Sequence, residues 1–272
     1  MPSSSPVRFT SWAKSARSSC HNQEFRPPSM VFSYLIALFI RDPLIIVATA
    51  LMGTINLLAS HWDKDGSLQL RIARKWARML LGIAGARVTV TGLEHIDPAR
   101  SYVVSPNHVS YMDTPVLLGH LPVNFRFLAK KGLFDIPFIG GHLTKAGHIA
   151  VPLDDPRAAL KVLSSAGHAM KERGLSVLVF PEGGRSEDGN LQPFKDGAAY
   201  LAIKGAVPIL PIALIGLREI LPMHSHHMRP GKVTMRIGPP LETEGLPISA
   251  RVELTERLAA QIRALHDQGH AD

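Results

Sequence analysis

Cysteine is nearly missing from this sequence: Cys20 stands alone among 272 residues. A single thiol closes no internal disulfide and builds no thiolate metal cluster, so a reducing compartment is the default. Aromatic residues are scarce at 6%, and no RNP, zinc-finger or basic-zipper spacing occurs. Little is therefore available to stack on or read bases. Acids are in deficit, with 22 Asp+Glu against 30 Lys+Arg and a formal charge of +8. That balance favours anionic partners; with nucleic acid the weakest of these, an acidic membrane leaflet or phosphorylated substrates lead. Also missing is an unbroken apolar run of the roughly twenty residues a spanning helix wants, because the stretch 31–59 is interrupted at Arg41-Asp42-Pro43.

With 46% apolar and 19% charged residues, the chain can core one ordinary globular domain without a second. Residues 1–29 form a Ser/Pro/Arg-rich leader whose only acid is Glu24. No convincing amphipathic helix accompanies it, so a disordered leader, or one absent from a mature chain starting at Met30, is preferred to a transit peptide. Residues 30–84 read as membrane-associated helices. Pro43 fits the first turn of a second helix with Asp42 as its N-cap. This divides the apolar stretch into a first part of about ten residues and a second, 44–59, of sixteen. A membrane-embedded or re-entrant helical hairpin is expected, with a single span as the alternative and two buried core helices still open.

The next segment, 67–84, is a basic amphipathic helix. Arg71, Arg74, Lys75 and Arg78 fall on one face, while Leu68, Ile72, Trp76, Met79, Leu80 and Ile83 fall towards the other. Beside an apolar anchor it reads as lying on an anionic leaflet, although packing against the domain is compatible with that. Residues 85–272 then alternate short β-rich runs with helical ones. Strands are expected at 87–91, 102–105, 125–129, 148–151, 176–180, 209–214 and 232–237. Helices are expected at 156–171, with Asp155 as N-cap, and at 251–266, with Val252, Leu254, Leu258, Ile262 and Leu265 inward. The pattern predicts an α/β domain, a mixed, mostly parallel sheet flanked by helices and preceded by the helical hairpin.

Two segments carry chemistry. The strand at 102–105 runs into Asn107-His-Val-Ser-Tyr-Met-Asp113, placing these residues where α/β folds hold ligands, at the carboxyl ends of strands. After a helical start, Asp113 comes round beside His108 in roughly one and a half turns. A carboxylate there fixes the imidazole tautomer and leaves Nε2 to take a proton from an alcohol, with no Ser or Cys nucleophile needed. The apolar strand at 176–180 ends in Phe180-Pro-Glu-Gly-Gly-Arg-Ser186. Gly183 and Gly184 admit close approach of a ligand. Arg185 offers a planar fork for phosphate, and Ser186 can donate to the same oxygens. Glu182 is expected to orient Arg185 or to hydrogen-bond an alcohol. Lys130, Lys131 and Lys195 are further candidates for an anion site. The run His224-Ser-His-His227 lacks a carboxylate or thiolate partner at ligand spacing, so no metal site is expected there.

Together these segments resemble the glycerophospholipid acyltransferase superfamily, specifically the 1-acylglycerol-3-phosphate acyltransferases. Residues 107–113 match its His-x4-Asp block, and Lys130-Lys-Gly-Leu-Phe-Asp-Ile-Pro-Phe-Ile-Gly-Gly141 looks like its second. Residues 180–186 are similar to the third block and Val207-Pro-Ile-Leu-Pro211 to the fourth. The resemblance covers 88–237 and implies His108 and Asp113 as the catalytic pair. It implies Asn107, Lys130, Lys131, Phe180, Pro181, Glu182, Gly183, Arg185, Ser186 and Lys195 as substrate-binding residues. Two positions depart from the pattern: Gly184 replaces a Thr, and Leu153-Asp154-Asp155 replaces an Asp-Arg pair, with Arg157 as a substitute for the lost arginine.

The implied reaction moves a fatty acyl group from acyl-CoA or acyl carrier protein to the free hydroxyl of 1-acylglycerol 3-phosphate, giving phosphatidic acid in phospholipid biosynthesis at the cytoplasmic face of an inner membrane. It requires no metal or cofactor. Other acceptors are glycerol 3-phosphate, another lysophospholipid or an amino-acid lipid. A non-catalytic lipid-binding protein is the reading from a different class.

Overall fold

The computed structural model describes residues 34–63, 65–136, 139–225 and 227–268. The leader with Cys20, Met30, Pro137 and Phe138 of the second block, and His226 lie outside the described residues.

The described residues open on one helix, α1, Tyr34–Ala59, of 26 residues. The break expected at Arg41-Asp42-Pro43 does not reverse the chain. A π-helical turn, Ala37–Arg41, precedes regular helix over Asp42–Ala59, and the Asp42 N–H donates to the Ala37 carbonyl. Proline has no N–H, and its ring crowds the carbonyl four residues back. A wider turn at that point accommodates the defect without ending the helix. Asp42 is therefore no N-cap; its carboxylate instead meets His227 Nδ1 at 2.5 Å.

A helical hairpin does precede the sheet, with α1 as one arm and α2, Ser67–Ala84, as the other. Asp63 starts α2 by accepting the N–H groups of Gly66 and Gln69. Asn56 of α1 and Gln69 of α2 are both buried. The Asn56 amide donates to the Gln69 carbonyl at 2.9 Å, and the Gln69 amide donates to Asn56 Oδ1 at 3.1 Å. The apolar window of α1 has a mean hydropathy of 2.1 and is only 11% buried, so the described residues do not cover it. By length and composition α1 is able to cross a membrane.

The expected basic face of α2 is split by packing. Arg71 and Lys75 are exposed, but Arg74 donates to the carbonyls of Leu121 and Val123, and Arg78 to that of Gly119. These carbonyls end the helix Asp113–His120, labelled α3. Cations at a helix C-terminus are stabilised by the free carbonyls and the dipole. The buried stripe of α2 is Leu70, Ala77, Leu80, Leu81 and Ala84, whereas Met79 is exposed.

All seven expected strands form: β1 Ala86–Thr91, β2 Val103–Pro106, β3 Phe125–Lys130, β4 Ile149–Val151, β5 Ser176–Leu178, β6 Ile209–Ile215 and β7 Gly231–Ile237. They make one sheet in the order β1-β7-β6-β2-β5-β3-β4, parallel throughout except for the β6–β7 pair. Neighbouring residues of a strand face opposite sides. Val104 accordingly joins a core formed with α2 and α3, and Val103 one formed with the helices on the other face. Those helices are α5 (Pro156–Arg173), α6 (Gly197–Gly205) and α8 (Arg251–Asp267). The short helices α4 (Ile139–Lys145) and α7 (Leu217–Ile220) complete the set. Asp155 caps α5 as expected, accepting from Arg157 and Ala158. In α8, Leu254, Leu258 and Ile262 point inward, but Val252 is exposed, because it lies in the first turn off their i, i+4 stripe.

The Asn56–Gln69 exchange generates a prediction. Asn56→Ala strands the buried side-chain amide of Gln69 and is expected to destabilise the folded chain by about 1–3 kcal/mol. Thermal unfolding in detergent reads this; an unchanged midpoint would show that the exchange does not hold the hairpin.

Candidate active site

Parallel pairing of β2 with β5, and of β5 with β3, brings three strand ends side by side at one edge of the sheet. Past β2 come Asn107 and His108, past β5 come Phe180 to Ser186, and β3 ends at Lys130. The His-x4-Asp segment folds as a tight turn around one carboxylate oxygen. Asp113 Oδ2 accepts from His108 Nδ1 at 2.6 Å, the Val109 N–H at 2.8 Å and the Ser110 N–H at 3.0 Å. Asp113 is fully buried and His108 is 8% exposed. With Nδ1–H donated to Asp113, Nε2 is the basic nitrogen. Phe180 stacks on the imidazole, centroids 3.7 Å apart and planes 16° from parallel. The ring is thus held by a carboxylate at one nitrogen and an aromatic wall on one face.

Glu182 plays neither role expected of it. It is buried, accepting the His108 N–H on Oε1 at 2.7 Å and the Gln192 N–H on Oε2 at 3.0 Å. Burial pushes its carboxyl above the ordinary glutamate value; the two N–H bonds pull the other way, and the Asp113 charge adds to the rise. It joins the histidine turn to the 180–192 loop, and Ser186 adds a second tie by donating its N–H to the His108 carbonyl at 2.8 Å.

Three further assignments need correction. Asn107 is completely buried; its amide donates to the Leu214 carbonyl and accepts from the Leu214 N–H. It extends the β2–β6 ladder past Pro106, which brings no N–H, and does not face substrate. The Ser186 hydroxyl donates to Asp188 Oδ1 at 2.8 Å and accepts from the Gly189 N–H, so it closes the loop and is not offered to a phosphate. Lys131 is exposed, opening the turn Lys131–Asp135, and lies off the cavity wall that Lys130 lines. Adjacent residues at a strand end diverge, and only one of the pair can face the site.

That cavity is about 1480 Å³. His108, Phe180, Pro181, Gly183, Arg185, Lys130 and Lys195 all line it, so the structure brings together both halves of the expected site. Gly183 is left-handed (φ 74°); a Cβ there would meet Lys195 Nζ at 2.7 Å, so the absent side chain makes room for the lysine. No atom lies within 4 Å of a Cβ built on Gly184, which leaves the wall open where the family pattern carries a hydroxyl. Away from the histidine the wall is apolar, built from α1, α2, β3 and α4, and reaches Arg126 and His148. His148 is pushed down to about 3 by burial, with His142 and Arg126 adding to the fall; it accepts the Phe127 N–H on Nδ1. Arg157 is exposed and off the wall, whereas Arg251 of α8 is on it, paired with Asp196 at 2.6 Å.

Two participants escaped the sequence reading. Arg251 has no local signal, since only the packing of α8 brings it to the cavity. Tyr111 sits inside the His-x4-Asp block, and its ring lies 4.0 Å from the Arg185 guanidinium carbon. Among the described residues no group of three His, Cys, Asp or Glu side chains is placed to hold a metal.

Residues 87–215, which carry every strand end described above except that of β7, match the family model described as Acyltransferase. The fold is that of the 1-acyl-sn-glycerophosphate (LPA) acyltransferase PlsC from Thermotoga maritima. The TM-score to that crystal structure is 0.73 at 26% identity, over 89% of this chain and 98% of the other. Over residues 87–215 the chain is similar to the acyltransferase family. Relatives named 1-acyl-sn-glycerol-3-phosphate acyltransferase include one from Limnanthes douglasii, 26% identical over 88% of this chain and 82% of its own length. The alpha form from Mus musculus is 34% identical over 65% of this chain and 61% of its own length. The matched residues include those that form the turn, the clamp and the cavity mouth.

Glu182→Gln tests the clamp, because an amide can accept only one of the two N–H groups and sets a donor against the other. Turnover is expected to fall roughly tenfold or more, following the loss of a charge-assisted buried hydrogen bond, with the fold retained by circular dichroism. Full activity in this variant would show that Glu182 does not control the histidine turn.

Proposed function

We propose that this acyltransferase transfers a fatty acyl group from acyl-CoA or acyl carrier protein to the free hydroxyl of 1-acylglycerol 3-phosphate, forming phosphatidic acid. The observation that carries the reading is the His108–Asp113 pair opening onto an apolar cavity with Arg185, Lys130 and Lys195 at its polar end. His108 Nε2 takes the hydroxyl proton, and the alkoxide attacks the thioester carbonyl. The carbon–sulfur bond breaks, and the leaving thiolate recovers the proton from His108. The Gly183 N–H donates to the Phe180 carbonyl; the amides of Gly184 and Arg185, which have no partner among the described residues, are the donors for the oxyanion. Arg185 and the lysines hold the acceptor's phosphate, and the apolar wall takes hydrocarbon. Donor and acceptor suffice for this chemistry, without metal or cofactor.

The exposed apolar face of α1 and the exposed Arg71 and Lys75 of α2 support attachment to an anionic leaflet. In this reading residues 30–84 are the membrane element, 85–272 is the catalytic domain, and the enzyme works in phospholipid synthesis at the cytoplasmic face of an inner membrane. The open space at Gly184 supports a second reading, a different phosphorylated acceptor with a bulkier head; an acceptor panel with labelled acyl-CoA separates the two.

His108→Ala is expected to leave a folded, membrane-bound protein whose turnover is lower by about two to four orders of magnitude; unchanged turnover refutes the dyad. Arg185→Ala is expected to raise KM for the phosphorylated acceptor with a smaller effect on kcat, and an unaltered KM rejects that arginine's role.

A further inference from the structure

Arg185 presents an electrostatic problem. Among the described residues no carboxylate pairs with it, although the surrounding loop carries three acids. Glu182 is committed to the N–H groups of His108 and Gln192. Asp188 accepts from Ser186 and Asn190, and these neutral donors hold it down to about 2. Glu187 is exposed and forms no ion pair with Arg185. The Arg185 Nε is buried and without a hydrogen-bond partner. What the guanidinium has is the ring of Tyr111, 4.0 Å away, and Tyr111 is itself 53% exposed.

We propose that Tyr111 is a positioning residue for the acceptor's phosphate: its ring face holds the Arg185 guanidinium in place while leaving the terminal Nη donors and the full positive charge for the anion. The physics distinguishes an aromatic from an acid here. A carboxylate partner would occupy the same edge donors that a phosphate needs and would cancel the charge. A ring attracts the cation through its quadrupole from the face, consuming no donor. Tyr111 also lies between His108 and Asp113 in the chain, in the turn whose geometry Asp113 Oδ2 sets. The same turn therefore places the base and steadies the phosphate-binding arginine, fixing the distance between the acceptor's reacting hydroxyl and its charged end.

The inference rests on the reading of Arg185 as the anchor of the acceptor's phosphate, so the test includes Arg185. Steady-state kinetics are measured on the full chain in detergent micelles, with 1-acylglycerol 3-phosphate and acyl-CoA varied separately. Tyr111→Leu is expected to raise KM for the phosphorylated acceptor roughly threefold to thirtyfold, with kcat and the donor's KM within about twofold. Tyr111→Phe, which keeps the ring, is expected to match the parent. In the Arg185→Ala background Tyr111→Leu is expected to add nothing, which a purely structural role for the tyrosine would not produce. A raised acceptor KM in Arg185→Ala with no change in Tyr111→Leu overturns this inference alone. Equal losses in Tyr111→Phe and Tyr111→Leu overturn it as well, by assigning the effect to the hydroxyl. An unaltered acceptor KM in Arg185→Ala overturns both this inference and the arginine reading beneath it. Should Tyr111→Leu fail to fold, Tyr111→Trp serves: a KM at or below the parent's supports the ring-face contact, and a severalfold rise overturns it.

Discussion

Burying a carboxylate is unfavourable unless hydrogen bonds replace water, and Glu182 is buried beside another buried acid, Asp113. Its two oxygens nevertheless each find a backbone N–H, one on the histidine turn and one on the far arm of the 180–192 loop. Those two segments are the carboxyl-end loops of adjacent parallel strands, and beyond the sheet they are joined by this carboxylate and by the Ser186 N–H on the His108 carbonyl. The carboxylate converts proximity into a fixed geometry. His108 hangs on one side of that tie and Arg185 on the other, so the spacing between base and anion site depends on a residue that need not touch either substrate. Asp113 acts similarly at shorter range, gathering three N–H donors on one oxygen and so shaping the turn from which the imidazole projects.

The cavity has a different origin. Its catalytic end belongs to the sheet, but much of its apolar wall is lent by α1 and α2. The hairpin that meets the membrane in the proposed function is thus also part of the container for hydrocarbon. The ties of α1 are polar and specific: Asn56 with Gln69 joins it to α2, while Asp42 with His227 and Arg41 donating to the Met228 carbonyl join it to the domain. Polar contacts suit this place, since an apolar joint would compete with lipid for the same face of α1, whereas an unsatisfied amide in hydrocarbon is costly.

Much of this was legible in the sequence because it rests on short-range rules. Each strand is a brief β-branched or aromatic run bounded by turn residues, and all seven appear where alternation placed them. The His108–Asp113 contact was expected from a helical start, but helix begins only at Asp113, and the contact comes from a turn in which the carboxylate reaches back to the N–H groups of Val109 and Ser110. The proposed reversal at Asp42-Pro43 failed because sequence rules locate a proline defect but not how a helix absorbs it, and a π turn leaves no signature in residue types. Glu182 was misread for a related reason. Beside an arginine in the chain it looks like that arginine's partner, and only the pairing of β5 with β2 shows that the His108 amide is nearer. Lys131 and Val252 were misplaced by one step of side-chain direction. Arg251 depended on where α8 docks.

Charge shows the same separation between composition and placement. A formal +8 suggests a broadly basic surface, yet Arg74 and Arg78 spend their donors on the last carbonyls of α3, Arg126 donates to the carbonyl of Asp65, and Arg251 is paired with Asp196. At the mouth of the cavity, by contrast, Arg185 has no acid beside it among the described residues, and Lys195 is drawn over Gly183 by the absence of a side chain there. An anion is therefore attracted less by total charge than by this small set of cations whose nearby acids have been satisfied by neutral donors. Because those cations border a low-dielectric apolar wall, their field is screened less than that of exposed lysines. In the proposed function, that adjacency suits an acceptor with one phosphate and a hydrocarbon tail.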